Sequence, residues 1–195
     1  MQMQRIRVAY GKKNFISEWN VIVTARDEAY ERTYTLLGRF SPIAKTGYIN
    51  VLVMRVDDFR EFFDKIMEEI GKDPDILRYV ISRIAPARQT FGFEEKDDLR
   101  KKAGEIVLGW QDRIENRSFH VRMHRRGLKG RMDSREEEAL IGKTVAEALQ
   151  REGKTCTVDF EDPDLIIDIE TLDHRAGISL WTREEMQQYP FLRLD

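Results

Sequence analysis

The residues best suited to chemistry lie between Arg117 and Arg131. This stretch, RSFHVRMHRRGLKGR, holds six Arg or Lys, two His and no acid. Asp133 and three consecutive glutamates, Glu136 to Glu138, follow at once. Guanidinium forks match phosphate oxygens, glycine lets a backbone approach an anion, and a helix N-terminus favours negative charge. All three devices converge here. Arg122, Arg125, Arg126, Lys129 and Arg131 supply cations, with His124 as a lesser neighbour, and Gly127 and Gly130 shape the loop before a helix. Taken alone, the stretch fits two readings equally: a site for an anion, or the solvated edge of an ordinary domain. Arg83 and Arg88, which flank Pro86, and Arg175 and Arg183, near the end of the chain, are weaker basic candidates.

Other chemistry fits less well. His120 and His124 have H-x-x-x-H spacing, but four residues of strand span roughly 13 Å, too far for both imidazoles to hold one ion. The expectation is no metal. Asp162, Asp164, Asp168 and Glu170 could be paired for acid–base work. However, Asp162 and Asp164 flank a turn proline, where Asp is favoured for backbone reasons, and Asp168 and Glu170 share the polar face of a strand. Cys156 has no base beside it, because His174 falls in another element, and it reads as a small core residue. No phosphate-binding G-x-x-x-x-G-K-[ST] loop, G-x-G-x-x-G turn or G-x-S-x-G elbow occurs, so neither a cofactor nor a catalytic residue is expected. An enzyme using the acids near Asp162, or Cys156 with His174, is one rival reading. The other is a protein-interaction module that uses its basic face for an acidic partner. Trp19, Trp110 and Trp181 are aromatic candidates for stacking on bases, although Trp110 lies on an apolar helical stripe.

These side chains need a scaffold, and periodicity supplies one. WNVIVTA (19–25) is a β-branched run, and Asp27 is placed to cap a helix carrying Tyr30, Tyr34 and Leu37, ended by Gly38. FSPIA and YINVLVMRV pair as strands about Gly47. Asp58 opens a helix with Phe59, Phe62, Phe63, Ile66 and Ile70 on one face. RYVISRIA and RQTFGF are β-rich, and the resulting order predicts a ferredoxin-like split β-α-β unit over 1–93. A second α/β unit spans 94–195. Its helix places Leu99, Ala103, Ile106, Val107, Trp110 and Ile114 on one face. The period then switches to two, with Phe119, Val121 and Met123 facing inward and His120, Arg122, His124 and Arg126 outward. Ser134 and Glu137 form a capping box for a helix carrying Ile141, Val145, Ala148 and Leu149, which Gly153 ends. TCTVDF, DLIIDIE and AGISLW close the unit as strands.

The bulk numbers agree with a globular α/β protein. Of 195 residues, 41% are hydrophobic and 35% charged, and the formal net charge is −2. A uniformly basic coat is thus excluded, and any positive site must be local. No apolar run approaches the ~20 residues of a membrane span, the first fifteen residues have no apolar leader core, and one cysteine forms no internal disulfide. The expected setting is cytoplasmic. Nothing in the sequence fixes the oligomeric state.

The second unit resembles the THUMP domain, a small RNA-binding module of tRNA-modifying enzymes and their adaptors. The likeness rests on FHVRMHRR (119–126), EEEALIG (136–142), VDFEDPDLIIDIE (158–170) and AGISL (176–180). The basic F-x-V-x-x-x-x-R strand, the E-x-x-x-I-G helix and V-D-[LF]-x-x-P-D are specific only in combination. The resemblance implies that a ferredoxin-like domain precedes it and that the pair grips the acceptor stem and CCA end of tRNA. It also implies that chemistry belongs to a separate domain, and the chain ends about ten residues after the last such strand. The stand-alone THUMP proteins related to the adaptor for tRNA cytidine acetylation are then the better likeness, with an acetyltransferase as partner.

Overall fold

The computed structural model describes residues 18–194; the N-terminal stretch read above as having no leader lies outside them. The chain forms two compact units, one comprising residues up to Pro86 with Tyr189–Arg193, the other Ala87–Gln188 with Leu194–Asp195.

In the first unit, β1 (Val21–Ala25), β2 (Ile43–Lys45), β3 (Val51–Met54) and β4 (Ile81–Pro86) form an antiparallel sheet in the order β2-β3-β1-β4. Helix α1 (Tyr30–Leu37) follows β1 and α2 (Phe59–Lys72) follows β3, so the two β-α-β connections interleave as the sequence predicts. The Asp58 carboxylate accepts the Glu61 N–H at 3.0 Å and so caps α2, which buries Phe62, Phe63 and Ile66. Asp27 does not cap α1. The backbone turns through Glu28 at φ 64°, leaving Ala29 at the cap with no side-chain bond, and Asp27 instead accepts from the Asn50 side chain at 2.8 Å. Near the chain end, Tyr189 and Phe191 pack on Phe63 with ring centroids 4.8 and 5.3 Å away.

The second unit contains β5 (Gln89–Gly92), α3 (Lys96–Leu108), α4 (Gln111–Ile114), β6 (Ser118–Arg126), α5 (Ser134–Arg151), β7 (Thr157–Val158), β8 (Leu165–Leu172), β9 (Arg175–Thr182) and α6 (Arg183–Gln188). Its sheet runs β5-β9-β8-β6-β7. Because β5 pairs with β9, residues 89–92 belong to this unit, and the seam falls at Pro86, not near 93. The helix expected through Ile114 breaks after Leu108. Gly109, a weak helix former, directs its N–H to Glu105 and Ile106, and the chain restarts as α4. β6 lies parallel to β8, and β8 lies antiparallel to β9. Phe119, Val121 and Met123 meet Leu165, Ile167 and Ile169 in one core under Leu99, Ala103 and Val107 of α3 and Ile141, Val145 and Leu149 of α5. Burial of these apolar stripes is the main force positioning β6.

Candidate functional site

Strand β6 sorts the basic stretch into two faces. With Phe119, Val121 and Met123 in the core, His120, Arg122, His124 and Arg126 share the other face. The parallel neighbour β8 has the same parity and brings acids to that face: Arg122 lies in register with Asp168, and His124 with Glu170. Both acids are only 2% exposed. The Arg126 guanidinium forms an ion pair with Glu170, and His124 Nδ1 lies 3.6 Å from the same carboxylate. A stretch without acids in sequence is therefore matched with acids in space. Arg122 is half-buried, and its Nε has no hydrogen-bond partner among the described residues. Arg125, one position out of phase, donates to the Gly127 carbonyl and also leaves its Nε without a partner.

The loop after β6 is different. Gly127, Leu128 and Gly130 take φ values of 91°, 52° and 78°. A Cβ on Gly130 would meet nothing within 4 Å, so glycine is needed there for its backbone conformation and not for space. The turn closes with the Arg131 N–H donating to the Leu128 carbonyl at 3.0 Å. It leaves Lys129 and Arg131 exposed.

The helix N-terminus that follows does not offer itself to a ligand. Asp133 caps α5 by accepting the N–H groups of Arg135 and Glu136 at 2.9 and 3.1 Å, so the chain's own carboxylate fills the anion position. Neither Ser134 nor Glu137 makes the expected box. Glu137 is fully buried and accepts from Arg100 Nε at 2.6 Å and a terminal nitrogen at 2.9 Å, tying α3 to α5. Of the three anion-binding devices read from the sequence, the cations and the glycine loop remain.

His120 is 7% exposed, and its ring centroid lies 4.9 Å from that of Phe160 with the two planes at 78°. Burial, then the Arg122 charge, hold its imidazole below the usual pKa. The sheet also assembles a donor set that sequence spacing did not reveal. One ligand atom from each of His124, Asp168 and Glu170 lies within 4.8 Å of the others. Arg126 already pairs with Glu170, so one of the two buried carboxylates is offset by a guanidinium charge. The group fits an ion-pair network better than a divalent cation.

The weaker basic residues are engaged in packing. Arg83 is 7% exposed and donates to the Leu192 carbonyl at 3.0 Å. Arg88 pairs with Glu185 at 2.6 Å and lies over the Trp181 ring. Arg175 donates to Thr90 Oγ1 at 2.6 Å. Arg183 approaches Asp162 and Asp164 at 3.3 Å each. Asp164 also accepts from the Ser118 N–H and hydroxyl at 2.9 Å, and these bonds hold its carboxyl below the usual range. Cys156 packs against the core with its thiol pKa raised by burial, and His174 Nδ1 lies 3.2 Å from the Phe93 carbonyl. Trp19 and Trp181 are buried and present no open ring. The aromatic that stands out is Phe160, 71% exposed, in a segment the sequence suggested was a closing strand.

Comparison with known proteins adds a family. No curated protein matches the chain in sequence. The model of the THUMP domain family matches residues 94–180. Among solved structures, TrmN from Thermus thermophilus is similar with a TM-score of 0.56 and 14% identity, over 82% of this chain and 44% of that one. Protein PH1313 from Pyrococcus horikoshii gives 0.54 and 17%, over 83% and 53%. A 4-thiouridine synthetase in complex with RNA and ATP gives 0.51 and 14%, over 83% and 40%. At these identities the likeness is one of fold, and the chain spans about half or less of each structure's length. The paired β6 and β8 strands, the capped α5 and the glycine loop thus belong to a named architecture: residues 94–180 of this chain form a THUMP domain.

Proposed function

We propose that this chain binds tRNA in the service of tRNA modification, gripping the acceptor stem and CCA end while another protein performs the chemistry. The observation that carries this reading is the exposed pair Lys129 and Arg131 on a fixed glycine loop in a THUMP domain. Contacts of this type go to phosphates; they position RNA and do not read its sequence. A duplex end with a single-stranded tip is recognised by shape. The similarity to a synthetase bound to RNA supports the same reading. The acids near Asp162 are committed to Arg183 and Ser118, and Cys156 to the core, which supports a non-catalytic role. The enzyme partner suggested by resemblance to stand-alone THUMP adaptors is an acetyltransferase acting on tRNA cytidine, and the setting is the cytoplasm. Among the described residues no helix is long and apolar enough to cross a membrane.

The test compares intact tRNA, tRNA lacking CCA and an acceptor-stem minihelix by direct binding at several salt concentrations. The expected result is that the minihelix retains most of the affinity, that removal of CCA lowers it, and that log K falls linearly with log salt. Equal affinity for an unrelated duplex of the same length would contradict the assignment to the acceptor end.

A further inference from the structure

Among the described residues of the second unit, Leu140, Val158 and Phe160 are the large hydrophobic side chains left exposed, and the last two lie two positions apart. Phe160 is 71% exposed and Val158 42%. They lie at the outer margin of the sheet, where β7 pairs with β6 and has no strand on its other side. The Thr157 and Asp159 N–H groups donate inward to the Arg117 and Phe119 carbonyls at 3.2 and 3.0 Å. Strand alternation then turns the N–H and carbonyl of Val158 outward, a donor and an acceptor on an open edge. The turn that follows is fixed: the Asp159 carboxylate accepts the N–H groups of Glu161 and Asp162 at 2.9 and 3.2 Å. Phe160 rests against the buried His120, so its ring is presented without first being ordered by a ligand.

The charge around this edge is negative. Ahead of β7, Lys154 is answered by three acids, Asp112, Glu115 and Glu152, at 2.9, 3.4 and 3.4 Å. After β7, Asp162 and Asp164 share Arg183, and Arg117 adds its charge near Asp164. Asp159 and Glu161 form no ion pair among the described residues. Such an edge repels phosphate, and it repels a second copy of itself, whose acids would meet its own. An apolar side chain set among lysines or arginines is complementary to it. We propose that the open β7 edge, with Val158 and Phe160, docks an extended segment of a partner protein that carries an apolar anchor flanked by Lys or Arg. The main-chain groups of Val158 pair with that segment, Val158 and Phe160 cover its anchor, and Glu161 meets its cations. The inference goes beyond the RNA-binding reading and does not need it. Phe160 stands at His120, about 20 Å along β6 from the glycine loop, so RNA and protein have separate places.

The experiment uses the full chain, isotope-labelled for amide spectra, with three short synthetic peptides. The first sets valine and phenylalanine among lysines, the second replaces each lysine with glutamate, and the third replaces each apolar residue with serine. The lysine peptide should shift the amide signals of Val158 and its neighbours and bind at least about tenfold more tightly than either of the others. Phe160→Ala should weaken it at least about fivefold and leave affinity for the acceptor-stem minihelix within about twofold, with Phe160→Trp restoring peptide binding. Glu161→Gln should weaken the peptide about twofold to threefold. Thermal melting controls for folding, and substitution of an exposed ring should leave it unchanged. Lys129→Glu with Arg131→Glu should do the reverse, weakening the minihelix and sparing the peptide. Shifts confined to another surface, equal binding of the three peptides, or binding of none overturns the proposal. So does a loss of minihelix affinity in Phe160→Ala, which gives the ring to RNA, or a dimer of the unaltered chain that Phe160→Ala abolishes, which gives it to a second copy. If the lysine peptide binds at β7 and the minihelix does not bind the unaltered chain, the proposed function alone fails.

Discussion

Arg126 and Arg131 are five residues apart in one basic stretch, yet they do different physical work. Arg126 ends a strand, is 15% exposed and is ion-paired with Glu170, itself 2% exposed. Arg131 ends a loop held by left-handed Gly127, Leu128 and Gly130, and its side chain reaches into solvent. The first cation is already answered within the fold, and the second is not. Charge density along a sequence therefore measures what a region carries, and the register of the neighbouring strand decides what it can offer to a ligand.

This contrast can be broken at several points. Removing the acid that answers the strand should have the largest effect. Glu170→Ala removes the buried carboxylate that the Arg126 guanidinium pairs with and should cost about 3 kcal/mol of stability, measured by denaturant unfolding. Arg131→Ala, on the loop, should change stability by less than about 0.5 kcal/mol while weakening RNA binding. A Glu170→Ala variant as stable as Arg131→Ala would erase the distinction between the two regions. The smallest effect concerns pH. Burial lowers the His120 pKa in the folded state, so below about pH 6.5 the unfolded chain takes up a proton that the folded chain resists. Stability contributed by neutral His120 is thus present above that pH and lost as pH falls towards the folded value. His120→Gln should flatten this part of the stability–pH curve, and an unchanged slope would show that other groups set it.

Much of the scaffold was legible in the sequence. The alternation of Phe119, Val121 and Met123 against His120, Arg122 and His124 fixes a strand and its core face, because side chains in a strand repeat every two residues. The stripe of α2 and its Asp58 cap are local signals, readable within one turn of helix. What escaped was long-range or depended on small shifts of the backbone. No local pattern announces that β8, some 46 residues on, lies parallel to β6 and sets Asp168 and Glu170 beside its cations. Asp133 and Ser134 are both good caps, and the path of the glycine loop, not propensity, selects Asp133. Phe160 comes one residue after the two-residue strand β7 and counts as apolar in any pattern. Its exposure comes from the short β7 and the tight turn at Asp159, which lift it off the sheet.

The central claim is that the loop, not the strand, is where this THUMP domain offers positive charge to RNA. Its most direct test is the affinity of the full chain for intact tRNA as a function of salt. Lys129→Glu with Arg131→Glu should be compared with Lys96→Glu with Lys101→Glu, exposed lysines of α3 in the same unit. The loop reversal should lower affinity at least about tenfold and reduce the slope of log K against log salt by roughly one to two, with the α3 reversal close to the unaltered chain. Equal losses from the two pairs would contradict it.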